Sequence, residues 1–402
     1  MPTFDFYLPT RILFGPGRLR DLEHTPFLPK GARALIVVGA GGSMLTEGHL
    51  ARVQGLLAAR GVASMVYDRI PARLEADAIH AAAAHARAHH ADYIVGLGGG
   101  RVIDAAKGIA FMACNAGQVW DQIDGGSEQA APEAETLPVL AIPTTTGTGA
   151  EVTNSAVVAR SKAAGKRIWR HALLFPRLAV VDPELTITIP AEQTAYAGLG
   201  ALGQAMDTLL SMRAQPTADM LALEAVQMIS RGLGRAVADG GDREARSLLM
   251  WAGLAAGLSA ALAGVGPLQS LALALDDGNF IRPHGAAHML LTEAYVQRIG
   301  ARRPERLDLL TRAMGGGENG GPDDGAARFR AAWKALTDAI GLAPEMGPTR
   351  CCTKAQLDRW TGNALASMGG HPEAAWRAMR KSDMEAVIME ALSAGDVSQT
   401  GT

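Results

Sequence analysis

The first half of the chain alternates. Short β-branched apolar runs, each stopped by glycine or proline, take turns with longer helical stretches up to about residue 190. Ala34-Leu35-Ile36-Val37-Val38 runs into Gly39-Ala40-Gly41-Gly42, and Asp92-Tyr93-Ile94-Val95-Gly96-Leu97 runs into Gly98-Gly99-Gly100. An unbroken apolar run of this length suits a strand covered on both faces, the environment of a parallel sheet between helices. Residues 45–60 and 75–89 read as helices; 63–67 and 137–142 read as further strands, as does Leu178-Ala179-Val180-Val181 before Asp182-Pro183. That order predicts right-handed βαβ units. Residues 127–137 are polar and loop-like. Beyond Pro190 the β signal fades, and Ala, Leu, Met and Gln at helical spacing continue to the end, broken by a glycine-rich connector over 315–322. The outline is an α/β nucleotide-type domain followed by an all-helical one.

Composition narrows the function classes. The chain has 402 residues, 48% hydrophobic and 19% charged, enough for large cores. Lys+Arg 38 against Asp+Glu 40 leaves a net charge of -2, without the basic surplus that phosphate neutralisation demands, so nucleic acid is not an expected partner. No apolar run was expected to reach the roughly 20 residues of a membrane helix. Met1-Pro2-Thr3-Phe4-Asp5 lacks the regions of a signal peptide, and three scattered or adjacent cysteines (Cys114, Cys351, Cys352) form neither a disulfide framework nor a CxxC site. The expectation is a cytoplasmic homodimer acting on a small molecule.

Two loops carry the chemistry. Gly98-Gly99-Gly100 lies between a strand and a helix, where glycine lets backbone amides approach an anion and the helix start adds partial positive charge. A purely structural turn is the alternative. Pro143-Thr144-Thr145-Thr146-Gly147-Thr148-Gly149-Ala150-Glu151 also follows a strand and offers four hydroxyls and two glycines; alone, it reads equally as a solvated turn. Two such loops at successive strand ends favour a nucleotide site, since open α/β sheets bind ligands at the carboxyl ends of their strands.

These segments resemble the iron-containing (group III) alcohol dehydrogenases, on the dehydroquinate synthase-like fold. Residues 92–107 are similar to that family's dinucleotide signature. Residues 143–154, 175–186, Arg282-Pro283-His284-Gly285 and the opening segment 4–17 follow in the family's order. The resemblance implies an α/β Rossmann-like amino-terminal domain over 1–188, an all-helical carboxyl-terminal domain over 189–402, and a cofactor and substrate cleft between them. It also implies that Gly98, Gly99 and Gly100 hold the pyrophosphate with Asp104 behind them, and that Thr144, Thr145 and Thr148 contact the nucleotide. Arg101 stands where the family usually has Ser, either pairing with phosphate or facing solvent. Members that select NAD often carry an Asp after the first strand; here Gly39-Ala40-Gly41-Gly42-Ser43 has no acid to repel a 2′-phosphate, and Ser43 offers a donor. NADP is therefore favoured over NAD, with both admissible.

The family holds a divalent metal, usually iron, through one Asp and three His, as a Lewis acid on the substrate oxygen. The positions matching those ligands are Gly200, Gln204, Gln269 and His284, and a further mechanistic His position is Leu273. Only His284 keeps a ligand side chain, so no bound metal is expected. A relocated set of His284, His288 and Asp276 or Asp277 is the rival, the null being that His288 is incidental. The expected activity is NAD(P)-dependent hydride transfer without a metal, to a carbonyl or to a pre-activated acceptor such as an imine or conjugated carbonyl. Its catalytic residues would be His284, Gln204 and Gln269. A non-catalytic nucleotide-binding relative and a non-redox activity on the same scaffold are the alternatives.

Overall fold

The computed structural model describes residues 3–4, 6–124, 135–161, 165–264, 266–276, 284–317, 325–342, 352–368 and 379–397. Most of the polar 127–137 stretch, the second half of the glycine-rich connector, Cys351 and Asp277 lie outside the described residues. The chain divides into two compact units: Asp5–Ser161 with Arg167–Ile189, and Met1–Phe4 with Lys162–Lys166 and Pro190–Thr402.

The first unit is a parallel α/β layer structure. Its strands and helices are β1 (Arg11–Phe14), β2 (Arg33–Gly39), α1 (Ser43–Thr46), α2 (His49–Ala58), β3 (Ala63–Ile70), α3 (Ala76–Ala88), β4 (Tyr93–Gly98), α4 (Gly100–Cys114), α5 (Val119–Asp124), β5 (Val139–Pro143), β6 (Ser155–Ser161), β7 (Gly165–Arg170) and β8 (Leu178–Val181). Six of the strands form one sheet, ordered β1-β8-β5-β4-β2-β3, and every pairing in it is parallel. Because side chains alternate along a strand, β2 serves two cores at once. Leu35 and Val37 pack with Ile79, Ala83 and Ile109 of α3 and α4. Ala34, Ile36 and Val38 pack with Leu50, Val53 and Leu57 of α2.

Several sequence expectations shift in detail. The helix expected over 45–60 is two helices, broken where Gly48 takes a left-handed backbone at φ 74. β3 runs three residues beyond the expected end. Among the described residues of the opening segment only Arg11–Phe14 is strand, paired with β8. A separate two-stranded sheet, β6 with β7, was not anticipated.

The second unit is helical: α6 (Ala191–Leu210), α7 (Pro216–Ala238), α8 (Arg243–Ala263), α9 (Pro267–Leu275), α10 (His284–Gly300), α11 (Pro304–Ala313), α12 (Gly325–Ile340), α13 (Lys354–Ser367) and a closing helix, Lys381–Val397. One core, built on Leu199, Leu202, Ala205, Leu209, Val226, Ile229, Leu249 and Tyr295, joins α6, α7, α8 and α10. The expectation that no apolar run reaches membrane length needs correction. By length and composition α8 qualifies, but 67% of its apolar window is buried inside the unit, where Ala252, Ala255 and Ala256 let it pack closely.

Candidate functional site

In the α/β unit the two loops interlock. β4 and β5 are neighbours, in register to Gly98 opposite Pro143, so their following turns emerge side by side. The Thr144 N–H donates to the Gly98 carbonyl at 3.0 Å. A Cβ on Gly99 would stand 3.0 Å from Thr145 Oγ1, and one on Gly100 would stand 2.1 Å from Thr148 Oγ1. Glycine at 100 is therefore a packing requirement, and at 99 it eases a tight contact, both against threonines that the sequence singled out. α4 starts at Gly100 with Gly99 as its N-cap, and no side chain caps it. The first N–H groups of a helix have no partner within it, so an anion seated here meets both donors and the favourable end of the helix dipole.

Asp104 has a different role from the loops. Its carboxylate pairs with Lys107 at 3.1 Å and accepts from the Val157 N–H at 3.0 Å. Lys107 is fully buried and donates to the carbonyls of Ala150, Thr153 and Ser155 and to Thr153 Oγ1. The pair thus ties α4 to the chain that leaves the threonine loop, a positioning role. Burial pushes the Asp104 carboxyl up and the Lys107 ammonium down, each opposed by the other's charge. Glu151, buried beside them, is pushed up to about 7, first by burial. Neither Lys107 nor Glu151 was singled out as a site residue from sequence. Gly39 closes β2, and Ser43 is exposed at the start of α1, after left-handed Gly42.

In the helical unit a polar cluster sits among α6, α9 and α10. Gly200 and Gln204 lie one turn apart, on one face of α6. Among the described residues, a Cβ on Gly200 would meet nothing within 4 Å. Gln204 is buried and its Nε2 donates to the Ala256 carbonyl at 3.2 Å. Gln269, half-buried on α9, holds His288: Nε2 of the imidazole lies 2.8 Å from Gln269 Oε1. A carboxamide oxygen only accepts, so His288 carries its proton on Nε2 and the Gln269 NH2 group points elsewhere. The His288 ring fills the place of a side chain on Gly203, where a Cβ would stand 2.1 Å from Nδ1. His288 is therefore a fixed member of the cluster, not an incidental residue.

Asp207 was not anticipated at all. It is buried one turn beyond Gln204 and accepts from the N–H groups of Leu268 and Gln269, at 3.1 and 2.8 Å, and from the Tyr295 hydroxyl at 2.8 Å. It thereby satisfies the amino terminus of α9 and fixes where Gln269 starts. Burial pushes its carboxyl up to about 7 against these hydrogen bonds, and the Tyr295 phenol is pushed well above its ordinary value by burial and by Asp207. A lone carboxylate in the apolar run Leu202-Gly203-Gln204-Ala205-Met206-Asp207-Thr208-Leu209-Leu210 was the available signal.

His284 opens α10, and its side chain lies outside the described residues. The backbone there is held close to α6, since a Cβ on Gly285 would stand 2.0 Å from the Tyr196 carbonyl oxygen. Asp276, a member of the rival metal set, is instead ion-paired with Lys166. Leu273 is a buried part of α9.

A parallel sheet with two interlocked loops at adjacent strand ends, followed by a helical unit carrying a polar cluster, is the architecture of a dehydrogenase-type oxidoreductase. The chain belongs to the iron-containing alcohol dehydrogenase family: residues 9–183 match "Iron-containing alcohol dehydrogenase" and residues 194–392 match "Fe-containing alcohol dehydrogenase family, C-terminal". It is 34% identical over 286 residues to long-chain-alcohol dehydrogenase 1 of Geobacillus thermodenitrificans, covering 71% of each chain. It is 29% identical over 347 residues to 1,3-propanediol dehydrogenase of Citrobacter freundii, covering 86% of each. Among solved structures it superposes on an archaeal halo-thermophilic Red Sea brine pool alcohol dehydrogenase with a TM-score of 0.86 at 26% identity, over 97% of this chain and 100% of that one.

Proposed function

We propose that the chain is an NAD(P)-dependent oxidoreductase that reduces a carbonyl, or an acceptor already activated as an imine or conjugated carbonyl, without a bound metal. The α/β unit takes the dinucleotide and the helical unit takes the acceptor. The loop geometry fits the cofactor: uncapped N–H groups at the start of α4 suit a pyrophosphate, beside the Thr145 and Thr148 hydroxyls.

The donor set in the helical unit does not fit a divalent metal. Gly200 supplies no donor atom, Gln269 Oε1 is committed to His288, and Gln204 offers a metal only a neutral carboxamide oxygen. Neutral amides are poor ligands for a divalent ion that generally needs about three protein donors. Among the described residues no group of three His, Cys, Asp or Glu side chains is arranged to hold one.

The observation that carries the reading is Gln269. Asp207 fixes its backbone, His288 fixes its Oε1, and its NH2 group makes no hydrogen bond among the described residues. A carboxamide held this way is a preorganised donor to a substrate oxygen, a role whose removal typically costs about 10²–10³ in rate. A reduced nicotinamide, when bound, supplies the hydride. Gln269 orients and polarises the acceptor oxygen or nitrogen, His284 delivers a proton to it, and the open space beside Gly200 admits the rest of the acceptor.

Nicotinamide fluorescence against a panel of aldehydes, ketones and cyclic imines, with and without a chelator, tests this. Turnover that survives chelation and drops about 10²-fold in Gln269→Leu is expected. Turnover abolished by chelator and restored by iron overturns the metal-free reading; cofactor binding without turnover of any acceptor turns the chain into a non-catalytic relative.

A further inference from the structure

We propose that Arg101 reads the 2′-phosphate of an NADP-type dinucleotide, an assignment that rests on the dinucleotide reading above. Arg101 is the second residue of α4, directly after the glycine loop, and its side chain turns toward the carboxyl ends of β2 and β3. Its Nη1 donates to the Ala72 carbonyl at 2.9 Å, just past β3. Its Nη2 lies 3.6 Å from where a Cβ on Gly39, the last residue of β2, would stand. The residue is exposed, and among the described residues it pairs with no carboxylate.

The topology gives this position a meaning. β2 is the neighbour of β4, whose loop takes the pyrophosphate. In dinucleotide-binding sheets the adenosine ribose reaches the end of the strand next to the pyrophosphate loop; an acid there accepts from a 2′-hydroxyl, and an arginine there accommodates a 2′-phosphate. In this chain the strand end offers Gly39, with neither charge nor bulk, and a guanidinium anchored beside it by one backbone carbonyl. One Nη1 bond leaves the other donors of the planar fork for a phosphate, with the side chain already ordered. Arg101 is thus a specificity residue for the 2′-position, not a second pyrophosphate contact.

Titrations of wild type, Arg101→Ser, Arg101→Lys and Gly39→Asp with NADPH and NADH test it, with 2′,5′-ADP and 5′-AMP as competitors. Wild type is expected to prefer NADPH and to bind 2′,5′-ADP more tightly than 5′-AMP. In Arg101→Ser the NADPH-to-NADH selectivity falls at least tenfold, the loss being in NADPH. Arg101→Lys, which keeps charge but not the fork, falls between. Gly39→Asp reverses the preference, because its carboxylate pairs with the guanidinium and repels phosphate. Equal losses for both nucleotides in Arg101→Ser, or no loss for either, overturn the assignment while leaving the dinucleotide reading intact. Wild type that binds neither nucleotide overturns both.

Discussion

The glycines of the two units tell opposite stories. After β4, Gly100 is glycine because the Thr148 side chain already occupies the place of its Cβ atom, and Gly99 is tight, with Thr145 Oγ1 3.0 Å from its would-be Cβ; Gly96 is crowded too, with Ala106 2.9 Å from its would-be Cβ. In α6, Gly203 is pressed in this way by the His288 ring, yet Gly200, three residues earlier, has open space around it. The first group locks two elements together at a distance no other residue permits. Gly200 locks nothing. It stands at a position for which the family resemblance implies a carboxylate, and no described residue lies within 4 Å of a Cβ there. Gly96, Gly99 and Gly100 are thus packed against their neighbours, whereas Gly200, like Gly55 in α2 and Gly362 in α13, meets none among the described residues.

The sharpest way to break this contrast is Gly100→Ala. The added methyl cannot coexist with Thr148 at 2.1 Å, so the loops must part. Displacements near 1 Å at a binding constellation cost about 10²-fold, and a loss of nucleotide affinity of that size is expected by calorimetry. The double variant Gly100→Ala with Thr148→Gly relieves the clash and should recover most of the affinity. An unaffected single variant would show that the loops are not locked.

The same contrast marks what sequence reveals. β2, β4, β5 and β8 were legible because buried parallel strands are unbroken apolar runs with glycine or proline at their ends. β6 and β7 were not: Ser155–Ser161 and Gly165–Arg170 mix Arg and Lys with apolar residues, which weakens the signal of a buried strand. The glycine and threonine loops were legible individually, but not their interlocking, which depends on β4 and β5 being neighbours. In the helical unit the residues at 200, 204 and 269 were picked out by resemblance alone. The partners that fix them were not, because Asp207 is 61 residues from Leu268 and His288 is 19 from Gln269, and no local periodicity encodes such contacts.

A second, smaller effect compares a carboxyl in each unit that burial carries to about 7, Glu151 and Asp207. An acid whose folded pKa exceeds its unfolded value binds more protons when folded, so stability falls as pH rises between the two values. The window runs from about 4, the ordinary carboxylate range, to about 7. Urea midpoints should therefore decline from pH 4.5 to 7 and level off above. Glu151→Gln and Asp207→Asn should each flatten a part of the slope, with the buried Asp104, also pushed up, keeping a share in the α/β unit. The slope is the readout, since Asp207→Asn also weakens the cap on α9. A stability that rises with pH across this window would mean that the three donors to Asp207, and Lys107 beside Glu151, outweigh burial.

The smallest expected effect is the most informative about Gly200. In a helix interior, glycine costs about 0.5–1 kcal/mol relative to alanine, because it gives up more backbone freedom on folding. At Gly100 the clash overwhelms that gain. At Gly200 no described residue opposes it, so Gly200→Ala should stabilise the helical unit by about that amount, read as a rise of about 1–4 °C in thermal midpoint. Activity then separates two explanations for the open space. If an acceptor occupies it, the methyl raises KM for the bulkier carbonyls in the panel while small aldehydes are little affected. If nothing occupies it, the variant is more stable and kinetically unchanged, and the glycine has no role in the reaction. A destabilised Gly200→Ala would be the damaging result, because it would require a neighbour at a place where no described residue lies within 4 Å.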